Sequence, residues 1–387
     1  MIRVSDILSG SMGKYLVTHK ISFKQRKVIH KIINCFTEVS RNVVFVCNNK
    51  SCRNIEHMQQ PCRDRHCNRC NNSKKMKWIR KIIKDFPPLP YYHVVFTLPS
   101  ELHNLAICNP KVVYNIFFKS SFYVLNRFAS DSKHFGGKIG FFGLLHTWGQ
   151  MLNYHPHIHF MVLAGGIKDG TYKKLPYKND FIFPVTALSK VMMGKFIELL
   201  KEKYSKGELK FPGKLEEIAS YQKFNNFLYL LSNKEWVVYS RKPFDGSVRV
   251  LEYIARYTHK VAIANHRIKN YKNGRVSFEY LDYKDKNSYA VPIKKIMQLS
   301  DMEFIRRFLL HILPDGFRKI RYGGIFASNQ KANNISIIKE TLKNELEKLI
   351  LKSSQFIDDI DKQLKVICKK CSGELIPYNI FAFSGFT

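Results

Sequence analysis

The sequence predicts an α+β protein built on an antiparallel sheet with flanking helices. Three observations predict it. Between residues 91 and 265 the hydrophobic pattern alternates between strand and helix periods, in the order β, α, β, β, α, insert, β, α, β, a split βαβ arrangement. A basic, cysteine-rich segment precedes that core, and a mostly helical stretch follows it. Three regions are therefore expected: 1–88, with a helix and a small cysteine module; 89–295, the sheet domain, with a helical insert near 207–233; and 296–387, helical and closing on Cys-x-x-Cys.

Composition narrows the partners. The chain has 387 residues and 45% hydrophobic content, enough to bury a large core. It carries 64 Lys and Arg against 30 Asp and Glu, a net charge of +34. Such a field favours a polyanion, and nucleic acid comes first. A membrane surface is the rival. No apolar run is long enough to span a bilayer, and Met1 to Lys20 is polar and mixed, with no apolar signal segment. A cytoplasmic protein without a membrane partner is expected.

The first elements are a helix with Phe23, Ile29, Ile32, Ile33 and Phe36 on its apolar face, then a short strand from Asn42 to Val46. The cysteines come next. Seven of nine lie in the first 110 residues. In a reducing compartment such thiols are free or bind metal. Cys67 and Cys70 form a Cys-x-x-Cys knuckle, and Cys47 and Cys52 form a looser pair. Two sequence-separated pairs of thiolates can enclose one tetrahedral Zn²⁺. The expected structural zinc set is Cys47, Cys52, Cys67 and Cys70, with Cys62 or His66 as substitutes and a second metal left open. Arg53, Arg63, Arg65 and Arg69 interleave with these ligands and suit a DNA-facing surface. A basic helix from Lys74 to Asp85 ends at Pro87, Pro88 and Pro90.

Tyr91 to Pro99 reads as a strand with His93, Val95 and Thr97 on one face. A helix follows from about Pro110 to Ala129, and a strand from Gly137 to Trp148. After a short turn comes His155-Pro156-His157-Ile158-His159, a buried strand that stops at Gly165 and Gly166. Side chains alternate, so His157 and His159 share a face with Cα atoms about 6.6 Å apart. Two imidazoles at that spacing can converge on one divalent ion. An isolated His-x-His is more often structural than catalytic, and the rest of the chain has to decide the matter. This strand should be central and should form a hairpin with the one before it.

A helix from Leu188 to Tyr204, the insert, and a strand from Glu235 to Arg241 follow. Val250 to Lys260 then reads as a basic helix with Tyr253 and Tyr257 one turn apart on one face. Strands are expected at Val261 to Ala264 and Arg275 to Tyr283, with Asn273-Gly274 as a hairpin turn. Beyond Asp301 the pattern is helical, interrupted by a basic turn region from Arg318 to Asn329. Asn334 to Lys352 reads as an amphipathic helix, and Cys368 and Cys371 as half a zinc knuckle that needs partners from elsewhere.

These parts suggest phosphodiester chemistry. A metal on His157 and His159 polarises a phosphate oxygen while a tyrosine hydroxyl attacks phosphorus. Two tyrosines allow two strand linkages. A third ligand is expected, with Gln150 and His155 nearest and His146 a weaker candidate.

The ordered motifs CRDRHCNRC at Cys62 to Cys70, YYHVVFTLP, HTWGQ, HPHIHF, YIARYTHKVAIANHRI and FIRRFLLHILPDGF carry a resemblance that spans nearly the whole chain. It resembles the rolling-circle HUH transposases of bacterial insertion sequences, of the IS ninety-one type with an N-terminal zinc-binding domain. The resemblance implies an HUH endonuclease fold, a divalent Mg²⁺ or Mn²⁺ on His157 and His159, and nucleophiles at Tyr253 and Tyr257. It implies nicking of single-stranded or hairpin element ends through a 5′-phosphotyrosine intermediate, and transfer to target DNA. A homo-oligomer on the DNA and a nucleoid location are compatible with it. The Cys47–Cys52 spacing is wider than the Cys-x-x-Cys usual in that family. A plasmid replication initiator or relaxase would use the same chemistry. The zinc module and the lack of a helicase motif favour the transposase. A non-catalytic zinc DNA-binding protein is disfavoured by the intact histidine pair and tyrosines.

Overall fold

The computed structural model describes residues 1–40, 42–175, 182–241, 261–286, 291–343, 358–359, 361–362 and 364–378. Packing divides the chain into two compact units: Met1–Ile83 with Ala255–Ile305 and Ser354–Thr387, and Lys84–Ile254 with Arg306–Ser353.

The chain starts with a helix that its polar appearance hid. Helix α1 (Val4–Thr18) buries Val4, Ile7, Leu8, Met12 and Tyr15. That is a helical period, diluted to the eye by Ser5, Ser11, Gly10 and Gly13. Helix α2 (Phe23–Ile33) opens with a capping box. The Ser22 hydroxyl accepts from the Gln25 N–H, and the Gln25 side chain accepts from the Ser22 N–H. Strands β1 (Asn42–Cys47) and β2 (Ile55–Gln59) form an antiparallel hairpin, and helix α3 (Asn71–Asp85) follows.

The second unit runs through β3 (Tyr91–Thr97), α4 (His103–Cys108), α5 (Pro110–Ser130), β4 (Lys138–Trp148), β5 (Tyr154–Lys168), β6 (Thr171–Lys174), α6 (Val185–Ser205), α7 (Tyr221–Ser232) and β7 (Val238–Arg241). Pro110 opens α5 at a position where its missing N–H costs nothing. Strand β5 runs two residues beyond the expected stop at Gly165 and Gly166. Gly165 and Gly166 are paired within it, because β6 joins there and Gly166 lies against the β4 backbone. A Cβ on Gly166 would sit 2.2 Å from the Lys138 carbonyl oxygen. The glycine pair marks a close approach rather than a strand end.

Further along, the strand expected at Val261 to Ala264 is irregular chain, and pairing begins instead at β8 (Ile268–Lys272). Strand β9 (Arg275–Lys286) returns through the Asn273-Gly274 turn, and β10 (Pro292–Ser300) adds a third strand. A helix spans Asp301–Leu309. The basic turn region expected after it contains strand β11 (Ile320–Gly324), which pairs antiparallel with β4. Glycine and arginine are weak strand formers, but this is a sheet edge. There the Arg321 guanidinium lies 4.3 Å from the Phe118 ring centroid and 5.0 Å from that of Phe317. A helix at Lys331–Thr341 and strand β12 (Leu375–Pro377) complete the described elements. The C-terminal region is thus not purely helical, since it supplies strands to two sheets.

The sheets are antiparallel throughout. One has the order β12-β1-β2, one β10-β9-β8, and the largest β11-β4-β5-β3-β7 with β6 on the end of β5. The histidine strand β5 is therefore interior, between its hairpin partner β4 and β3. One face of this sheet packs on α5 and α6 through Val94, Phe96, Ile158 and Phe160, with Phe117 and Phe196 from the helices. Burying each such side chain contributes about 1.5–3 kcal/mol. A one-residue slip of β5 would expose Ile158 and Phe160 and bury His157 and His159. Hydrophobic burial on one face therefore holds the histidines on the other.

Candidate metal centres

The nine cysteines separate into two clusters and one outlier. Cys35, Cys62, Cys67 and Cys70 bring their sulfur atoms within 4.8 Å of one another, and so do Cys47, Cys52, Cys368 and Cys371. The quartet expected from the sequence is thus divided. Cys67 and Cys70 join one cluster, and Cys47 and Cys52 join the other. The hairpin explains the division: Cys47 ends β1 and Cys52 lies in the turn that leads to β2. Cys62 belongs to the first cluster. His66 belongs to neither, and its ring and backbone N–H both engage Asp64, at 2.8 and 3.0 Å. Cys108 stands apart on α4.

A tetrahedral Zn²⁺ with four bonds of about 2.3 Å separates its sulfurs by roughly 3.8 Å. The Cys62–Cys70 sulfur separation is 3.6 Å, Cys47–Cys371 3.4 Å and Cys52–Cys368 3.9 Å. These are far longer than a disulfide bond and match a metal-sized cage. In the first cluster, hydrogen bonds from the Cys62 and Cys70 thiols hold Cys67 far below the usual thiol range, and Cys62 is pushed up. Four sulfurs at these distances form the donor set of a structural zinc site. Cys35, at the end of α2, accepts from the Cys62 N–H at 3.5 Å.

The third cluster is made of imidazoles. The ring nitrogens of His146, His157 and His159 lie within 4.8 Å of one another. The ladder explains this, because His146 of β4 is directly opposite His157 of β5. Gln150 lies in the turn between these strands, closed by the Gly149 N–H donating to the Asn153 carbonyl. His155 is outside the cluster, but its backbone carbonyl lies 2.7 Å from His157 Nδ1. A carbonyl only accepts, so His157 carries its proton on Nδ1 and Nε2 is its unprotonated nitrogen. His159 Nδ1 lies 2.9 Å from Nε2 of His93 on β3. Burial first, then the charges of Arg241 and His157, pushes His93 down to about 3. His93 is therefore neutral and can accept from His159, which places the proton of His159 on Nδ1. Trp148 stacks on His146 with ring centroids 4.6 Å apart. Both His157 and His159 are half-buried.

Tyr253, Tyr257 and the helix expected around them lie outside the described residues. The sequence carries no site signal for Cys35 or His93; it marks Cys368 and Cys371 as half a knuckle without naming Cys47 and Cys52 as its partners, and His146 as a weaker ligand candidate.

Over 340 residues the chain is 36% identical to a protein named "Putative transposase y4qJ" from Sinorhizobium fredii, covering 88% of this chain and 84% of that one. Residues 140–334 match the family described as "Putative transposase". The chain belongs to this transposase family. Residues 7–98 match a second family, described as "Transposase zinc-binding domain", which spans Cys35 to Cys70. A further relative is the "Transposase for insertion sequence element IS801" of Pseudomonas savastanoi pv. phaseolicola, 28% identical over 82% of this chain and 74% of that one. No solved structure matches the chain. The transposase thus has an N-terminal zinc-binding domain, and the histidine cluster falls within the match to its family. Cys368 and Cys371 lie beyond both matched stretches. No helix among the described residues is long and apolar enough to cross a membrane.

Proposed function

We propose that this transposase is an HUH single-strand endonuclease and strand transferase acting at insertion-sequence ends. The observation that carries the reading is the imidazole cluster of His146, His157 and His159 on the open face of a central strand. In this reading the three Nε2 or Nδ1 lone pairs hold a divalent Mg²⁺ or Mn²⁺. When bound, that ion draws charge from a non-bridging phosphate oxygen of the scissile link. His155 and His93 keep two of the rings in the tautomer that faces it.

A hydroxyl of Tyr253 or Tyr257 attacks the phosphorus. The bond to the 3′ oxygen breaks, that oxygen leaves as a 3′ hydroxyl after taking a proton, and the 5′ phosphate stays on the tyrosine. The phosphotyrosine keeps the bond energy, so the freed 3′ end or a target strand can attack it in turn. Two tyrosines give one linkage for each strand in a rolling-circle-like exchange. The charge of +34 suits single-stranded or hairpin DNA ends held through their phosphates. The zinc of the N-terminal domain is held in this reading by Cys35, Cys62, Cys67 and Cys70, as a structural ion.

The test is a covalent adduct assay. The protein is incubated with labelled single-stranded element-end DNA and Mg²⁺ or Mn²⁺. A DNA–protein adduct is expected, and it is absent in the Tyr253→Phe/Tyr257→Phe variant. An adduct that persists in that variant would overturn the nucleophiles.

A further inference from the structure

We propose that Cys47, Cys52, Cys368 and Cys371 form a second structural zinc site, closed by the C-terminal knuckle. This goes beyond the zinc-binding domain match, which ends at residue 98. The half knuckle at Cys368 has two ligands of its own and needs two more. The fold supplies them from 324 and 316 residues away in sequence, at Cys47 and Cys52.

Four observations carry the assignment. The sulfur separations of 3.4 and 3.9 Å bracket the edge of a zinc–thiolate tetrahedron, roughly 3.8 Å. The backbone is built to bring the pairs together, because β12 pairs with β1 in a register that sets Cys47 against Leu375. The knuckle itself is a tight turn, with the Cys368 N–H on the Gly373 carbonyl at 2.7 Å and the Ser372 N–H on the Cys368 carbonyl at 3.0 Å. Finally, sulfur lone pairs receive outer donors, as metal thiolates do. The Asn54 amide lies 3.5 Å from Cys368 Sγ, and the Gly373 N–H lies 3.4 Å from Cys371 Sγ.

Gly373 fits the same picture. A Cβ there would sit 3.0 Å from Cys47 Sγ and 3.2 Å from Cys371 Sγ, so a side chain would crowd two ligands. The apolar support is thin. Cys47, Cys368 and Leu375 are the buried members of a small cluster flanked by Phe45 and Val366. So small a cluster cannot hold two distant segments alone, which is the situation in which a structural metal is used. On binding, the four thiols release their protons to solvent and the ion takes four thiolates, with no change of oxidation state.

Cys371 provides the test, because it is exposed. The full-length protein, kept in excess phosphine reductant, is treated with iodoacetamide and its peptides are mapped. An exposed free thiol reacts at once, and reductant removes any disulfide. Expected is a Cys371 that resists modification and becomes reactive when a chelator is added. Zinc per chain should also fall by one equivalent in Cys368→Ser/Cys371→Ser. Immediate modification of Cys371 in the untreated protein overturns the site, and so does unchanged zinc content in the variant. Should the variant fail to fold, the wild-type labelling decides alone. Neither readout involves the DNA adduct, so the site and the proposed chemistry stand or fall separately.

Discussion

His93 and His159 share a hydrogen bond of 2.9 Å across adjacent strands, and His93 is only 5% exposed. In the proposed site, a buried imidazole that accepts from the Nδ1 of a metal-ligating imidazole would fix both its tautomer and its angle. His93→Phe should keep the volume and lose the acceptor. Mn²⁺ affinity, measured by titration with the full-length protein, should fall about 10–100-fold. His93→Gln restores an acceptor and should recover part of it. Equal affinity in all three proteins would make His93 a packing residue only.

Opposite His157 on the ladder stands His146, buried and stacked on Trp148. If it is the third ligand, His146→Ala should weaken metal binding at least as much as His93→Phe. Gln150→Ala, in the turn, should leave metal binding nearly unchanged. The reverse order would return the third position to Gln150.

An all-imidazole set also has consequences for the choice of ion. Mg²⁺ prefers oxygen ligands and sheds water reluctantly. Adduct formation should therefore reach half its maximum at lower Mn²⁺ than Mg²⁺. A clear preference for Mg²⁺ would mean that the substrate and water oxygens, rather than the histidines, dominate the coordination.

Cys35 offers a test of the first zinc cluster. Structural zinc binding is worth on the order of 10 kcal/mol, comparable with the whole stability of a domain. Cys35→Ser should lower zinc content and produce an early unfolding transition in the melting curve. Cys108→Ser, outside both clusters, should leave zinc content as it is. Full zinc retention by Cys35→Ser would remove Cys35 from the ligands.

Gly166 has no room for a side chain beside the Lys138 carbonyl. Gly166→Ala should force β4 and β5 apart at their far end and cost about 1–3 kcal/mol, read as a drop in the denaturation midpoint. A midpoint within error of wild type would show that the strands give way there freely.

Much of this was legible in the sequence, and the reasons for the gaps are physical. Strands β3, β4 and β5 declared themselves through alternation and length, so the central place of the histidine strand and its antiparallel hairpin could be read directly. Serines and glycines beside the apolar stripe of helix α1 hide its period in the sequence. Strand β11 was hidden because an edge strand tolerates glycine and arginine. The cysteine sets required knowledge that no local spacing contains. Cys35 is separated from its partners by the β1–β2 hairpin, and the Cys47 pair is completed from the other end of the chain. His146 became a neighbour of His157 only through the ladder register.

The pairing of β12 with β1 also sets a timetable. At about 5–20 residues per second, the ribosome delivers β12 on the order of a minute or less after β1 has emerged. Throughout that interval β1 has one edge unpaired, and Cys47 and Cys52 lack half of their cluster. Only a polypeptide translated through Leu375 to Pro377 can close that sheet. A chain cut short before Cys368 carries an unfinished N-terminal unit, and folding itself then distinguishes a chain translated through β12 from a shorter fragment.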